Sequence, residues 1–239
     1  MRKSITTIAV AVLALALASV AFAKFTQVAN VTLTAHKGGQ STGIKADVHS
    51  SDATAKGQKP RSSTKLVISF PAGTKFNLRT GLRRTCGLSD KQLSNLFGPK
   101  CPAKSQIGTG TADINAWPIT PPPNGHVTAY IGTANKIVLV LTPTLNAYKS
   151  QITVIRGSIS GSSLTIPVPQ TMIGADKKSS FPGVSAVLTR LKLSVPAVGS
   201  GRSALVTAGR CTAHKFVVKS HFAYRGHSSV DVQSSSACN

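Results

Sequence analysis

The sequence predicts an all-β protein, an antiparallel β-sandwich of immunoglobulin-like or jelly-roll-like type with one short helix and two disulfides. Three observations carry that expectation. Apolar and polar residues alternate with a period of two along most of the chain, Gly and Pro breakers separate the alternating runs at short intervals, and the four cysteines form an even set. No helical runs alternate with the strands, as a parallel α/β sheet would require.

The first strand is "FTQVANVTLTA", with Phe25, Ala29, Val31, Leu33 and Ala35 on one face and Thr26, Asn30, Thr32 and Thr34 on the other. "GIKADVHS" sets Ile44, Ala46 and Val48 against Lys45, Asp47 and His49. Such strands are half-buried and belong to antiparallel sheets. "TKLVISF", "TGTADINAW", "HVTAYIG", "QITVIRG", "SLTIPV", "SALVTA" and "KFVVKSHFAY" supply further strands, and "KIVLVLT" at 136–142 is apolar throughout, as in a strand buried on both faces. In "VLTRLKLSV", Val187, Leu191, Leu193 and Val195 oppose Leu188, Arg190, Lys192 and Ser194.

One helix fits. Ser89 caps it, Asp90 suits its first turn, Leu93, Leu96 and Phe97 share a side, and Gly98-Pro99 stops it. Residues 50–63 are polar and read as a loop, and Pro118–Gly125 is the best candidate for a subdivision of a single domain over 24–239.

Residues 1–23 read as a signal peptide: Arg2 and Lys3 are charged, Ile8–Val20 is almost wholly apolar, and Ala21-Phe22-Ala23 has the form of a cleavage site. The apolar run is short for a bilayer span, so no transmembrane anchor is expected in the mature chain, and the expected location is extracellular, with loose attachment to the cell wall. In an oxidising compartment Cys86, Cys101, Cys211 and Cys238 are expected as disulfides; three connectivities exist, and sequence proximity favours Cys86–Cys101 and Cys211–Cys238.

The chain has 28 Lys and Arg against six Asp and no Glu, a net charge of +22. Loss of Arg2 and Lys3 with the leader would leave +20. A charge of this size keeps a protein soluble and draws it to polyanions. Its densest stretch holds Lys75, Arg79, Arg83, Arg84, Lys91, Lys100 and Lys104 around the single acid Asp90. The polyanion-binding residues expected are Arg79, Arg83, Arg84, Lys91, Lys100 and Lys104. Aromatic residues are only 5% of the chain, which argues against stacking on nucleic acid. The partners expected are anionic cell-wall polymers or an acidic membrane surface.

Other motifs carry less. Gly108 and Gly110 lack the third glycine and the following helix of a nucleotide loop, and suit a strand approached closely by another backbone. Cys211, His214, His221 and His227 resemble a metal-ligand series, but the strand pattern puts His214 with Phe216 and Val218 and turns His221 to the other face, so no metal or other cofactor is expected. The absence of Glu excludes an H-E-x-x-H protease, and "GVSAV" lacks the second glycine of a nucleophile elbow. No catalytic residue is assigned. A Ser-His-Asp hydrolase and a carbohydrate- or ligand-binding module with Trp117 at its site are the alternatives.

The stretch Thr85–Ala112, with Cys86, Cys101-Pro102, Ser105, Ile107-Gly108 and Gly110-Thr111-Ala112, resembles an element recurring in uncharacterised secreted β-rich proteins of high-GC Gram-positive bacteria. The tail is similar in kind, with Cys211, "FAYRG" at 222–226 and Cys238, as is "FPAGTKFN" before Cys86. The resemblance covers residue 64 onward in patches. It implies export, disulfides and β-structure, and no particular reaction.

Overall fold

Alternating strands each have an apolar face to hide, and this chain hides all of them inside one sheet that curls until its two ends meet. The computed structural model describes residues 25–51, 61, 63–79, 84–117, 124–144, 152–169 and 185–239. The expected leader, Arg83, and most of the 50–63 and 118–125 loops lie outside these residues.

The strands are β1 (Thr26–Leu33), β2 (Ile44–Ser51), β3 (Ser63–Ser69), β4 (Lys75–Phe76), β5 (Gln106–Trp117), β6 (Asn124–Ile131), β7 (Lys136–Pro143), β8 (Thr153–Ser160), β9 (Ser163–Pro167), β10 (Ser185–Val195), β11 (Val206–Thr207), β12 (Lys215–Tyr224) and β13 (His227–Ala237). Helix α1 is Asp90–Leu93. Among the described residues, eleven strands form one sheet in the order β1-β2-β10-β5-β6-β7-β8-β9-β3-β12-β13, and β4 pairs with β11 separately. Every pairing between these strands is antiparallel.

The antiparallel, disulfide-stapled β architecture is the one expected. The expected division into two sheets is replaced by a single ladder, because β10 joins β2 to β5 and β3 joins β9 to β12. β1 and β13 are then neighbours, so the sheet is nearly a barrel. With an odd number of antiparallel strands, these two run the same way. They are held by serine side chains in place of a backbone ladder. The Val31 N–H donates to Ser234 Oγ (3.1 Å), the Ser234 hydroxyl donates to the Val31 carbonyl (2.7 Å), and the Leu33 N–H donates to Ser236 Oγ (3.3 Å). Nearby, the Tyr224 hydroxyl donates to Gln27 Oε1 at 2.6 Å, and burial pushes its phenol well above the ordinary tyrosine range.

The core is the inside of this tube. Ala29, Val31 and Leu33 on β1, Leu66 and Ile68 on β3, Val127, Ala129 and Ile131 on β6, and Phe216, Val218 and Phe222 on β12 are all buried there. The β4–β11 pair adds Leu78, Leu205 and Val206 to the same core, bonded to the β1–β2 loop through Thr42 N–H to the Val206 carbonyl and the Gly39 N–H to the Ala208 carbonyl. It plugs that end of the tube.

β10 departs from simple alternation. A register shift between Leu188 and Arg190 inserts Thr189 as an extra residue. Leu188 therefore packs against the main core with Leu191, Leu193 and Val195 rather than facing out with Arg190. β5 lies tightly on β10: a Cβ on Gly110 would land on the Lys192 carbonyl oxygen, and one on Gly108 would sit 2.5 Å from that of Ser194. The glycines thus mark the close backbone approach that the sequence suggests.

Candidate polyanion-binding surface

The cation-rich segment lies on the outside of the tube. β7 is buried on both faces, as its continuous apolar run requires. Ile137, Leu139 and Leu141 point into the main core, while Val138 belongs to a second cluster with Cys86, Leu93 and Cys101, flanked by Leu88, Tyr130, Val140 and Val154. That outer cluster is what fastens residues 86–101 to the sheet.

Three further restraints fix the segment. The Cys86–Cys101 disulfide draws its ends together, with Cα atoms 5.0 Å apart. Cys86 also donates its N–H to the Ile131 carbonyl at 2.7 Å. Arg156 of β8 donates from Nε to Asp90 Oδ1 and from Nη2 to the Leu88 carbonyl, both at 2.6 Å. The second expected disulfide, Cys211–Cys238, is formed as well.

Helix α1 is one turn long. Ser89 and Gln92 form a reciprocal capping box at its start, and Leu93 is its buried residue. The helix stops before Leu96 and Phe97, which were expected to share the buried side with Leu93. After Ser94 the chain turns back: the Gly98 N–H donates to the Asn95 carbonyl at 2.9 Å, and a Cβ on Gly98 would sit 2.5 Å from the Gln92 carbonyl oxygen. Leu96 is 39% exposed and Phe97 93% exposed. This is a correction to the helical periodicity, imposed by the turn.

Arg79, Arg84, Lys91, Lys100 and Lys104 are all exposed. Arg79 follows Leu78 out of the plug, and the other four flank or lie within the disulfide loop; Arg83 is outside the described residues. The local acid is already engaged, because the Arg156 guanidinium holds Asp90. Other carboxylates are also engaged. Asp47 accepts two bonds from Arg190, at 2.9 and 2.6 Å, and Asp231 contacts His221 Nδ1 at 2.8 Å. The Arg190 bonds hold the Asp47 carboxyl below its ordinary value. Sequence reasoning found the cations but missed Arg156. Its partnership with Asp90 spans 66 residues, and no local pattern signals it.

The metal-like series does not converge. Cys211 is in its disulfide, and His227 is exposed at the start of β13. His214 precedes β12 in a left-handed turn, φ 59°, and is exposed rather than sharing the face of Phe216. The His221–Asp231 pair lies on the outer face, where its side chains are 43% and 80% exposed. Trp117 ends β5, opposite Ser185. β5 and β6, which flank the proposed subdivision, pair directly.

Among the described residues, small cavities of about 60 and about 40 Å³ lie inside the tube, lined in common by Val48, Leu66, Ile166 and Leu191. A dry apolar cavity that accepts benzene is on the order of 150 Å³. Both cavities are smaller than that.

Among the described residues, no helix is long and apolar enough to cross a membrane. No family model, curated protein or solved structure matches this chain.

Proposed function

We propose that this is a non-catalytic exported protein that associates with anionic polymers of the cell envelope through its basic surface. The observation that carries the reading is the anchored segment 84–104. It exposes Arg84, Lys91, Lys100 and Lys104 on a rigid base while its one acid is held by Arg156. Fixed cations lose less conformational freedom on meeting a polyanion than cations on a floppy loop. The net charge of +20 that the mature chain would carry adds a long-range attraction that salt weakens. Export rests on the charged start, apolar run and Ala21-Phe22-Ala23 site, and fits two disulfides.

The test is retention of the full mature chain on dextran-sulfate beads across a salt gradient. Strong retention at low salt that falls steeply as salt rises is the expected result. Converting Arg84, Lys91, Lys100 and Lys104 together to Gln should weaken low-salt binding by roughly fourfold to several hundredfold, at about 0.2–1 kcal/mol per exposed charge contact. Free passage of the unmodified protein at low salt, or identical elution of the variant, would sink the reading.

A further inference from the structure

Leu96 and Phe97 are the large hydrophobic side chains left exposed among the described residues, and they are adjacent at the tip of the same basic segment. We infer that this tip seats Phe97, with Leu96 beside it, in the anionic face of a lipid bilayer while Arg84, Lys91, Lys100 and Lys104 meet the headgroup phosphates. The inference rests on the polyanion reading above and names the surface that the site meets.

Rigidity is the first support. The Phe97 N–H is bonded to Asn95 Oδ1 at 3.1 Å and the Gly98 N–H to the Asn95 carbonyl, so the side chain and backbone of Asn95 together hold the turn carrying the ring. Gly98 packs against the last carbonyls of α1, the capping box holds the helix start, and Cys86–Cys101 staples the base. A ring 93% exposed on such a turn is presented to solvent rather than caught in passing.

Chemistry is the second. A soluble polyanion satisfies the cations but offers nothing to the ring. A protein partner would need on the order of 800 Å² of complementary surface, far more than two side chains supply. A bilayer with acidic lipids matches both features at once: phosphates at the level of the cations, and an apolar layer just beneath for an aromatic wedge. Phe and Leu are common on the buried side of segments that lie at this boundary. One ring and four cations make a reversible, salt-sensitive attachment.

The experiment is co-sedimentation of the full mature chain with vesicles of phosphatidylcholine alone and of phosphatidylcholine with phosphatidylglycerol in equal parts, run beside the dextran-sulfate beads. The unmodified protein should bind only the acidic vesicles. Phe97→Ala should bind them roughly 10- to 150-fold more weakly, the loss expected for one buried phenyl group, and keep its bead retention. Because the side chain makes no buried contact, the variant should melt like the parent. Phe97→Trp should bind at least as well and show a blue-shifted emission with acidic vesicles that the parent lacks. Equal vesicle binding by Phe97→Ala would overturn insertion, leaving the polyanion reading intact. Absence of binding to both vesicles and beads would overturn both. Retention on beads with none on acidic vesicles would make the partner a polymer and overturn the lipid inference alone.

Discussion

The seam between β1 and β13 gives the most direct stability prediction. Ser234→Ala removes both the acceptor used by the Val31 N–H and the donor used by its carbonyl, and Val31 is fully buried. A buried polar group that loses its partner costs about 1–3 kcal/mol. Water entering along the half-buried serine row would recover part of this. The expected loss is therefore about 2–3 kcal/mol, or roughly 5–10 °C in Tm for a chain of this size. Ser236→Ala removes one bond, to the Leu33 N–H, and should cost about half as much. Ser235 lies between them and is exposed, so Ser235→Ala should stay within about 0.5 kcal/mol of the parent. Urea denaturation of the oxidised protein, followed by far-UV circular dichroism, separates the three. If Ser234→Ala and Ser235→Ala had the same midpoint, the seam would owe its closure to packing and not to these hydroxyls.

Two other changes test the sheet itself. Gly110→Ala should lower soluble yield and cost about 1–3 kcal/mol or more, since the new methyl lands on the Lys192 carbonyl of the adjoining strand; a neutral result would show that β5 and β10 separate easily. Asp47 bears on acid stability. Its folded carboxyl is held below the ordinary 3.8, chiefly by the Arg190 hydrogen bonds, so the pair stabilises the fold above that value. The contribution fades as pH falls through 3.8 toward the folded value. Asp47→Asn should thus be less stable at neutral pH and show a shallower loss in acid, measured as urea midpoints from pH 7 to below 3.8. An unchanged acid slope would remove Asp47 from the account.

Most strands were legible because their burial is one-sided and local. β1, β2, β3, β6 and β12 show their inner faces in the apolar period, and β7 shows by its unbroken apolar run that something covers its outer face. β13 was not legible. "HSSVDVQSSSA" has only Val230 and Val232 as substantial apolar residues, and its serines acquire meaning only beside β1, 203 residues away. β11 is only Val206–Thr207 of the longer strand expected over "SALVTA", and β4 is too short to show any period. The bulge at Thr189 changed the face of Leu188 because one inserted residue reverses every orientation beyond it. At the candidate surface, composition revealed the cations. The withdrawal of Asp90 by Arg156 and the exposure of Phe97 depend on tertiary geometry, which local patterns do not encode.

The strand order also determines when this protein can fold. β5 to β9 form a continuous run of neighbours and can assemble as they are synthesised, but β2 and β3, consecutive in sequence, lie on opposite flanks of that run. β2 must wait for β10, β3 for β9 and β12, and the outer edge of β1 for β13. The earliest strands thus spend the longest time with open edges, which is the condition that invites aggregation. In a nascent chain of this topology the central run can form early, but the sheet cannot close until its last strands emerge. For a chain exported unfolded, as proposed above, that delay is an asset: the tube closes only once its last strand has arrived.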